Sequence, residues 1–330
     1  MKKVLLTTTA LVMAAGVAAA EVSFSGTAQV AITDDNGAKA RADAIAASVA
    51  AGNTATSNAA VTAGNTAAAA NDDAQLTTGF DFDVSISAAG DNGLTMSTSF
   101  DMGAGELVDY NDDDKREAQS DALGAPELTI GYAGYTISAQ QNGVDNLYNG
   151  DLPGADLGIS GAMGGVTFAV TGDLDDDNTS YKLGYTTGDL TVTVTGTNDE
   201  NGTAKTGKAS ASAISASYKM GDLTLTASTD NEGDADSTNK VGFSYKMDSL
   251  TFAYTSIDPS AAGKDQGDEW DASIAYAAGG MTASYAVDEA DASTLIGTYD
   301  LGGGTTLFAA SHDKKGEAND MTTVGINFKF

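Results

Sequence analysis

The sequence predicts an all-β protein, a transmembrane antiparallel β-barrel of 16–18 strands with short periplasmic turns at one rim and longer acidic external loops at the other. Three observations carry this expectation. Stretches of about seven to twelve residues alternate apolar and polar side chains, and a tilted membrane strand needs ~9–11. Tyrosines recur at one end of these stretches, each just before a tight turn. The chain opens with an export signal, yet no later apolar run approaches the ~18 residues of a membrane helix.

Lys2 and Lys3, the mostly apolar Val4–Val17 and the small Ala18–Ala20 form a secretory signal peptide over residues 1–20. Residues 21–330 then read as one barrel domain. Its first strand puts Val22, Phe24, Gly26, Ala28, Val30 and Ile32 on one face, and Ser23, Ser25, Thr27, Gln29 and Thr33 on the other. Residues 34–74 are rich in Ala, Asn and Thr and carry almost no large apolar side chain. They read as a long external loop insertion, with alanine favouring a short helix near Arg41–Ala51. Leu76, Phe80, Phe82, Val84 and Ile86 oppose Thr77, Asp81, Asp83, Ser85 and Ser87 on the next strand. The turn Gly90–Gly93 supplies the positive-φ residues of a short hairpin and leads into Leu94–Met102. A polar loop is expected from Gly103 to Pro126, holding Asp112, Asp113, Asp114 and Arg116.

From there one unit repeats: a strand ending in Tyr, a tight turn, a strand of alternating Thr and hydrophobics, and an acidic loop. The tyrosines are Tyr132, Tyr185, Tyr218, Tyr245, Tyr276 and Tyr299. An amphipathic ring suits the headgroup boundary, so Tyr185, Tyr218, Tyr245, Tyr276 and Tyr299, with Phe330, are expected to form an aromatic girdle at the periplasmic rim. Tyr254 and Trp270 would belong to the outer girdle. A soluble sandwich gives no reason for tyrosines to gather at one end of successive strands. Eight short turns plus one strand at each end make 18 strands, or 16 if one hairpin is miscounted. The last strand closes the pattern, with Val324, Ile326, Phe328 and Phe330 on one face and Thr323, Gly325, Asn327 and Lys329 on the other.

Three stretches carry a resemblance: Glu21-Val22-Ser23-Phe24-Ser25-Gly26, Tyr299-Asp300-Leu301-Gly302-Gly303-Gly304, and Val324-Gly325-Ile326-Asn327-Phe328-Lys329-Phe330. With them the chain resembles the general porins of the alphaproteobacteria, the Rhodobacter type. The resemblance implies a 16-stranded homotrimer in the outer membrane of a Gram-negative bacterium, passing small hydrophilic solutes by diffusion. It also implies a third external loop folded into the pore. The corresponding stretch is residues 141–156, with Asp145, Tyr148, Asp151 and Asp156 as the candidate constriction. The family sets basic residues, often Arg, across from that loop, whereas Arg41 and Arg116 fall on no predicted strand.

The chemistry points the same way. There are 46 acidic and 16 basic side chains, a formal charge of −30, which excludes nucleic acid as a partner. No cysteine exists, so neither disulfides nor thiolate metal sites are available. The single histidine, His312, sits beside Asp313 and Lys314 in what reads as the last external loop, a solvated position. Without it no nucleophile–base set can be built, and the protein is expected not to be an enzyme. Asp173, Asp175 and Asp177 are a weak Ca²⁺ candidate whose spacing departs from the twelve-residue calcium loop. A solvated charge run is the favoured reading, and no cofactor is otherwise expected. Asp81, Asp83 and Asp101, with Lys182, Lys219, Lys246 and Lys329, alternate with outward apolar residues and are expected to line the pore. Their balance, with the acidic loops, predicts a modest cation preference. The expected partners are outer-membrane lipid and lipopolysaccharide, two further copies of the chain, and the barrel-assembly machinery, met through the C-terminal strand. The alternative is a structural or adhesive surface β-protein that uses residues 34–74 as a binding element.

Overall fold

The structure is a computed structural model, and it describes residues 20–34, 74–111, 116–119, 126–150, 152, 154–175, 178–198, 210–232, 236–261, 264–265, 267–313 and 321–330. Of the stretches singled out above, most of the signal peptide and of the 34–74 insertion, Asp112–Asp114, Asp151 and Asp177 lie outside the described residues.

The strands are β1 (Ala20–Asp34), β2 (Gln75–Ala89), β3 (Thr95–Val108), β4 (Arg116–Ala118), β5 (Glu127–Tyr132), β6 (Tyr135–Val144), β7 (Ala155–Met163), β8 (Val166–Gly172), β9 (Thr179–Thr187) and β10 (Leu190–Asn198). They continue as β11 (Ala211–Met220), β12 (Leu223–Glu232), β13 (Asp236–Met247), β14 (Leu250–Ala261), β15 (Lys264–Asp265), β16 (Glu269–Ala278), β17 (Met281–Asp288), β18 (Ser293–Gly302), β19 (Thr305–Asp313) and β20 (Met321–Lys329). β4 and β15 are short side strands on β3 and β14. The other described strands pair antiparallel with their sequence neighbours, β3 passing to β5 and β14 to β16.

β1 also pairs antiparallel with β20, from Thr27↔Lys329 to Asp34↔Thr322, and this closes an 18-stranded barrel. The count of 18 from the short turns holds, and the 16 implied by the family resemblance does not. All eight short turns form hairpins, each joining two strands, and one strand is added at each end. Closure satisfies every strand edge, which a bilayer demands because it offers the backbone no water.

The pairings give one consistent phase around the ring. Gln29 stands opposite Asn327 and Gly79, and Asp81 opposite Thr27 and Gly103, so polar and small residues share the inner face. The outer face carries Ile326, Leu307, Ile214, Phe243, Leu183 and Ile159, all exposed. Exposed apolar side chains spread so widely over a surface mark a lipid-facing wall. Along the outer side of the seam Phe24 stacks on Phe82, Phe82 on Phe330, and Phe330 on Phe328. Phe330 and Gly26 extend the β1–β20 ladder by exchanging two backbone hydrogen bonds of 3.1 and 3.2 Å.

Candidate functional site

The inner face is where the chain concentrates its chemistry. Asp83 stands directly opposite Asp101, and Asp81 shares their face two residues along β2. The hydroxyl of Ser25 donates to the Asp83 carboxylate at 3.3 Å. Lys182 lies opposite Thr195, Lys219 opposite Thr224 and Lys246 opposite Thr251, which puts all three lysines on the inner phase of β9, β11 and β13. The register adds charged residues that the sequence reading passed over. Lys240 stands opposite Ser228, Asp230 opposite Ala213, Glu127 opposite Ser99, and Asp271 opposite Asp288. The available signal was strand phase: Lys240 is an even number of residues before Lys246 on a continuous strand.

Register also sets where these charges stand relative to one another. β13 lies nine barrel strands on from β3, half of the circumference. Asp83 and Asp101 on one wall therefore face the strand carrying Lys240 and Lys246 on the other. The basic side is built from lysine rather than arginine.

Two segments leave the wall and lie inside the barrel. The first is the described part of the stretch 141–156 that runs from the end of β6 at Val144 to the start of β7 at Ala155. Its buried Asn146 donates from Nδ2 to Thr197 Oγ1 at 3.0 Å, and the Leu147 N–H donates to Ser180 Oγ at 2.8 Å. The Tyr148 hydroxyl donates to the Asp230 carboxylate on β12. Asp156 accepts the Asn142 and Leu174 N–H groups at 2.9 and 3.0 Å and so ties both ends of the segment to the rim. Asp145 is exposed.

The second segment falls where an external loop from Gly103 to Pro126 was expected, and the structure corrects that reading. β3 continues to Val108, and Glu106–Val108 pairs with Arg116–Ala118, so Arg116 does lie on a strand. Gly105, at φ +82°, turns the chain out of the wall, a conformation open to glycine. Glu106 then crosses the inner side of Gly79, where a Cβ would meet the Glu106 carbonyl oxygen at 2.5 Å. The Gln29 side chain holds both backbone groups of Val108. Its Nε2 donates to the Val108 carbonyl at 3.0 Å, and its Oε1 accepts the Val108 N–H at 2.6 Å. Tyr110 stacks on Phe308 with ring centroids 4.0 Å apart and planes within 12°. Asn327 Nδ2 donates to the Tyr110 hydroxyl at 3.4 Å. The Arg116 guanidinium donates to Gln75 Oε1.

His312 is not a solvated loop residue, as its neighbours in sequence suggested. It lies on β19, 5% exposed, between Thr294 at 3.2 Å and the Tyr110 carbonyl at 3.4 Å. The alternation Phe308, Ala310, His312 carries the strand further than the local charges imply. In the acidic turn, the Asp173 carboxylate accepts the Asp175 N–H at 2.8 Å. Among the described residues no group of three or more acids and histidines could hold a metal ion.

At the turn rim, Val166 faces Tyr185, Leu190 Tyr218, Leu223 Tyr245, Leu250 Tyr276 and Met281 Tyr299. Each tyrosine thus sits level with the first residue of the strand beside it, exposed on the outer face. Phe328 holds the same level opposite Thr305, and Phe330 lies two residues beyond it. Towards the loop rim, Tyr254 stacks on Trp270 with centroids 6.3 Å apart.

A closed barrel with an apolar outside, a charged polar inside and two inward-folded segments defines a membrane channel protein. A family model described as Gram-negative porin matches residues 7–319, and the chain belongs to that family. It is therefore an outer-membrane channel. Solved structures agree on the fold. A Rhodobacter blastica porin with five substitutions matches at 14% identity and TM-score 0.52, covering 94% of this chain and 100% of that one. A variant of the same porin with two substitutions matches at 13% identity, TM-score 0.52 and the same coverage. A porin structure refined at 1.8 Å matches at 14% identity and TM-score 0.52, again with 94% and 100% coverage. No match to a curated protein was found.

Proposed function

We propose that this channel passes small hydrophilic solutes and ions by passive diffusion, without chemistry of its own and with a modest preference for cations. The observation that carries the reading is the inner-face charge balance. Asp81, Asp83 and Asp101, joined by Glu127, Asp230, Asp271 and Asp288, outnumber Lys182, Lys219, Lys240, Lys246 and Lys329 on the inner phase of the described strands. An inward carboxylate costs little in a wet lumen and raises the local cation concentration. In this reading Asp145, Tyr148 and Asp156 narrow the lumen along β9–β12, and the rim tyrosines seat the barrel at the headgroup boundary. Contact with lipid and lipopolysaccharide, homotrimer formation, and delivery to the assembly machinery through the last strand belong to the same proposal. Its support there is the exposed apolar outer face and the exposed terminal Phe330. The test is a planar bilayer under a KCl gradient. Stepwise conductance in threes with a cation-side reversal potential supports the whole reading. An anion-side potential keeps the channel and overturns the role of the carboxylates.

A further inference from the structure

The segment after β3 is held inside the barrel by contacts unlike those of an ordinary loop. Phe308 is 1% exposed although it sits on the inner face of a barrel, because Tyr110 covers it. With Ala31 and Val108 it forms a buried apolar cluster against which Tyr110 packs. Gln29, 5% exposed, does for Val108 what a neighbouring strand would, satisfying one N–H and one C=O that are otherwise cut off from water. Removing that amide would leave both groups buried and unpaired.

The wall is shaped for this segment. Gly79 lacks the Cβ that would collide with Glu106, and Gly105 makes the bend that starts the crossing. The anchor points lie on β1, β2, β19 and β20. The segment 141–156 is anchored on β9, β10 and β12. β19 and β10 are eight barrel strands apart out of eighteen, so the two segments approach from nearly opposite walls.

We infer that residues 106–111 and 116–119 form a second, permanently docked constriction, and that Gln29, Gly79, Tyr110 and Phe308 are the positioning residues that set the aperture with it. The inference rests on the channel reading above. The aperture is then the gap between two arms, and it depends on a clamp rather than on the 141–156 segment alone. The arm carries Glu106, Asp109, Arg116 and Glu117 to the inner side, so it places both signs of charge beside the path.

The test uses the full-length chain in planar bilayers, with heat-induced gel shifts as the check on folding. Gln29→Leu keeps the side-chain bulk and removes the hydrogen bonds. Tyr110→Ala removes the stack. Gly79→Ala adds a methyl group where the arm crosses. All three should raise single-channel conductance and admit larger polyethylene glycols. Because the chain contains no cysteine, Ala31→Cys with Val108→Cys, neighbours in the buried cluster, offers one defined disulfide, formed by air oxidation during refolding. It should cross-link in high yield, and it should lower the raised conductance when combined with Tyr110→Ala. Wild-type conductance and wild-type polymer exclusion in all three folded variants would overturn the aperture role. Failure to cross-link in a folded barrel would overturn the docking itself. A folded wild-type protein that carries no current, while the cysteine pair still cross-links, would overturn the channel reading, and the aperture role with it, and leave the docking in place.

Discussion

Neutralising Asp83 and Asp101 together probes the selectivity proposal where register makes it sharpest, because the two carboxylates stand directly opposite each other on one inner face. Take a cation passing about 5 Å from both. In water each carboxylate attracts it by about 0.8 kcal/mol before screening. At 0.15 M salt the Debye length of ~8 Å leaves roughly half of that. The two together then contribute about 0.9 kcal/mol, a local cation enrichment of roughly fivefold. At 1 M salt the screening length falls to ~3 Å, and the enrichment drops below about twofold. Asp83→Asn with Asp101→Asn keeps shape and hydrogen-bonding capacity, so the barrel should fold unchanged. In a KCl gradient near physiological strength, the reversal potential of the double variant should move towards zero relative to wild type. Near 1 M the two proteins should be almost indistinguishable. An unchanged potential at low salt would mean that these carboxylates stand off the conduction path. A shift that persists at 1 M would mean that the effect is not electrostatic.

Other expectations follow from facing and closure. Ile214→Arg puts a charge into lipid near mid-strand on β11 and should cost about 2–4 kcal/mol, whereas Ser215→Arg, one residue along and facing inward, should cost little; urea titrations of folding into vesicles separate the two, and equal costs would contradict the register. Deleting Phe330 removes two backbone hydrogen bonds to Gly26 and two ring stacks. At ~1 kcal/mol per bond and ~0.5–1.5 per stack, closure should weaken by about 3–5 kcal/mol, read as a lower temperature for the heat-induced gel shift. Tyr148→Phe removes the hydrogen bond to Asp230 and should speed protease cleavage within residues 141–156 in the folded barrel; an unchanged rate would show that this bond does not hold the segment.

Much of the fold was legible because a barrel strand is specified locally. Alternation along Val22–Thr33 or Met321–Phe330 states which side faces lipid, and Asn, Asp and Gly at the turns state where strands reverse. The tyrosines mark one rim because each obeys the same local rule. The eight turns therefore yield 18 strands directly, and the family habit of 16 misled only where it replaced counting. Asp81, Asp83, Asp101, Lys182, Lys219 and Lys246 could be placed on the polar phase for the same reason.

What the alternation could not carry was any relation across the barrel. That the strand carrying Asp101 stands across the ring from the strand carrying Lys240 follows from closure after eighteen strands, not from spacing in the chain. The clamp on the second arm joins residues separated by 79 positions in Gln29–Val108 and by 202 in His312–Tyr110. Neither Gln29, which reads as one more polar inward residue, nor Phe308 announces its partner. Gly103-Ala104-Gly105 reads as a loop start, and only the packed wall turns it into an inward bend. The sequence by itself determined the strands, their two faces, the turn rim and the compartment, since each is a contest between water, lipid and backbone settled within ten residues. The tertiary structure alone decided which inner residues meet, what fills the lumen and that His312 is buried, because those contacts exist only once the ring is shut.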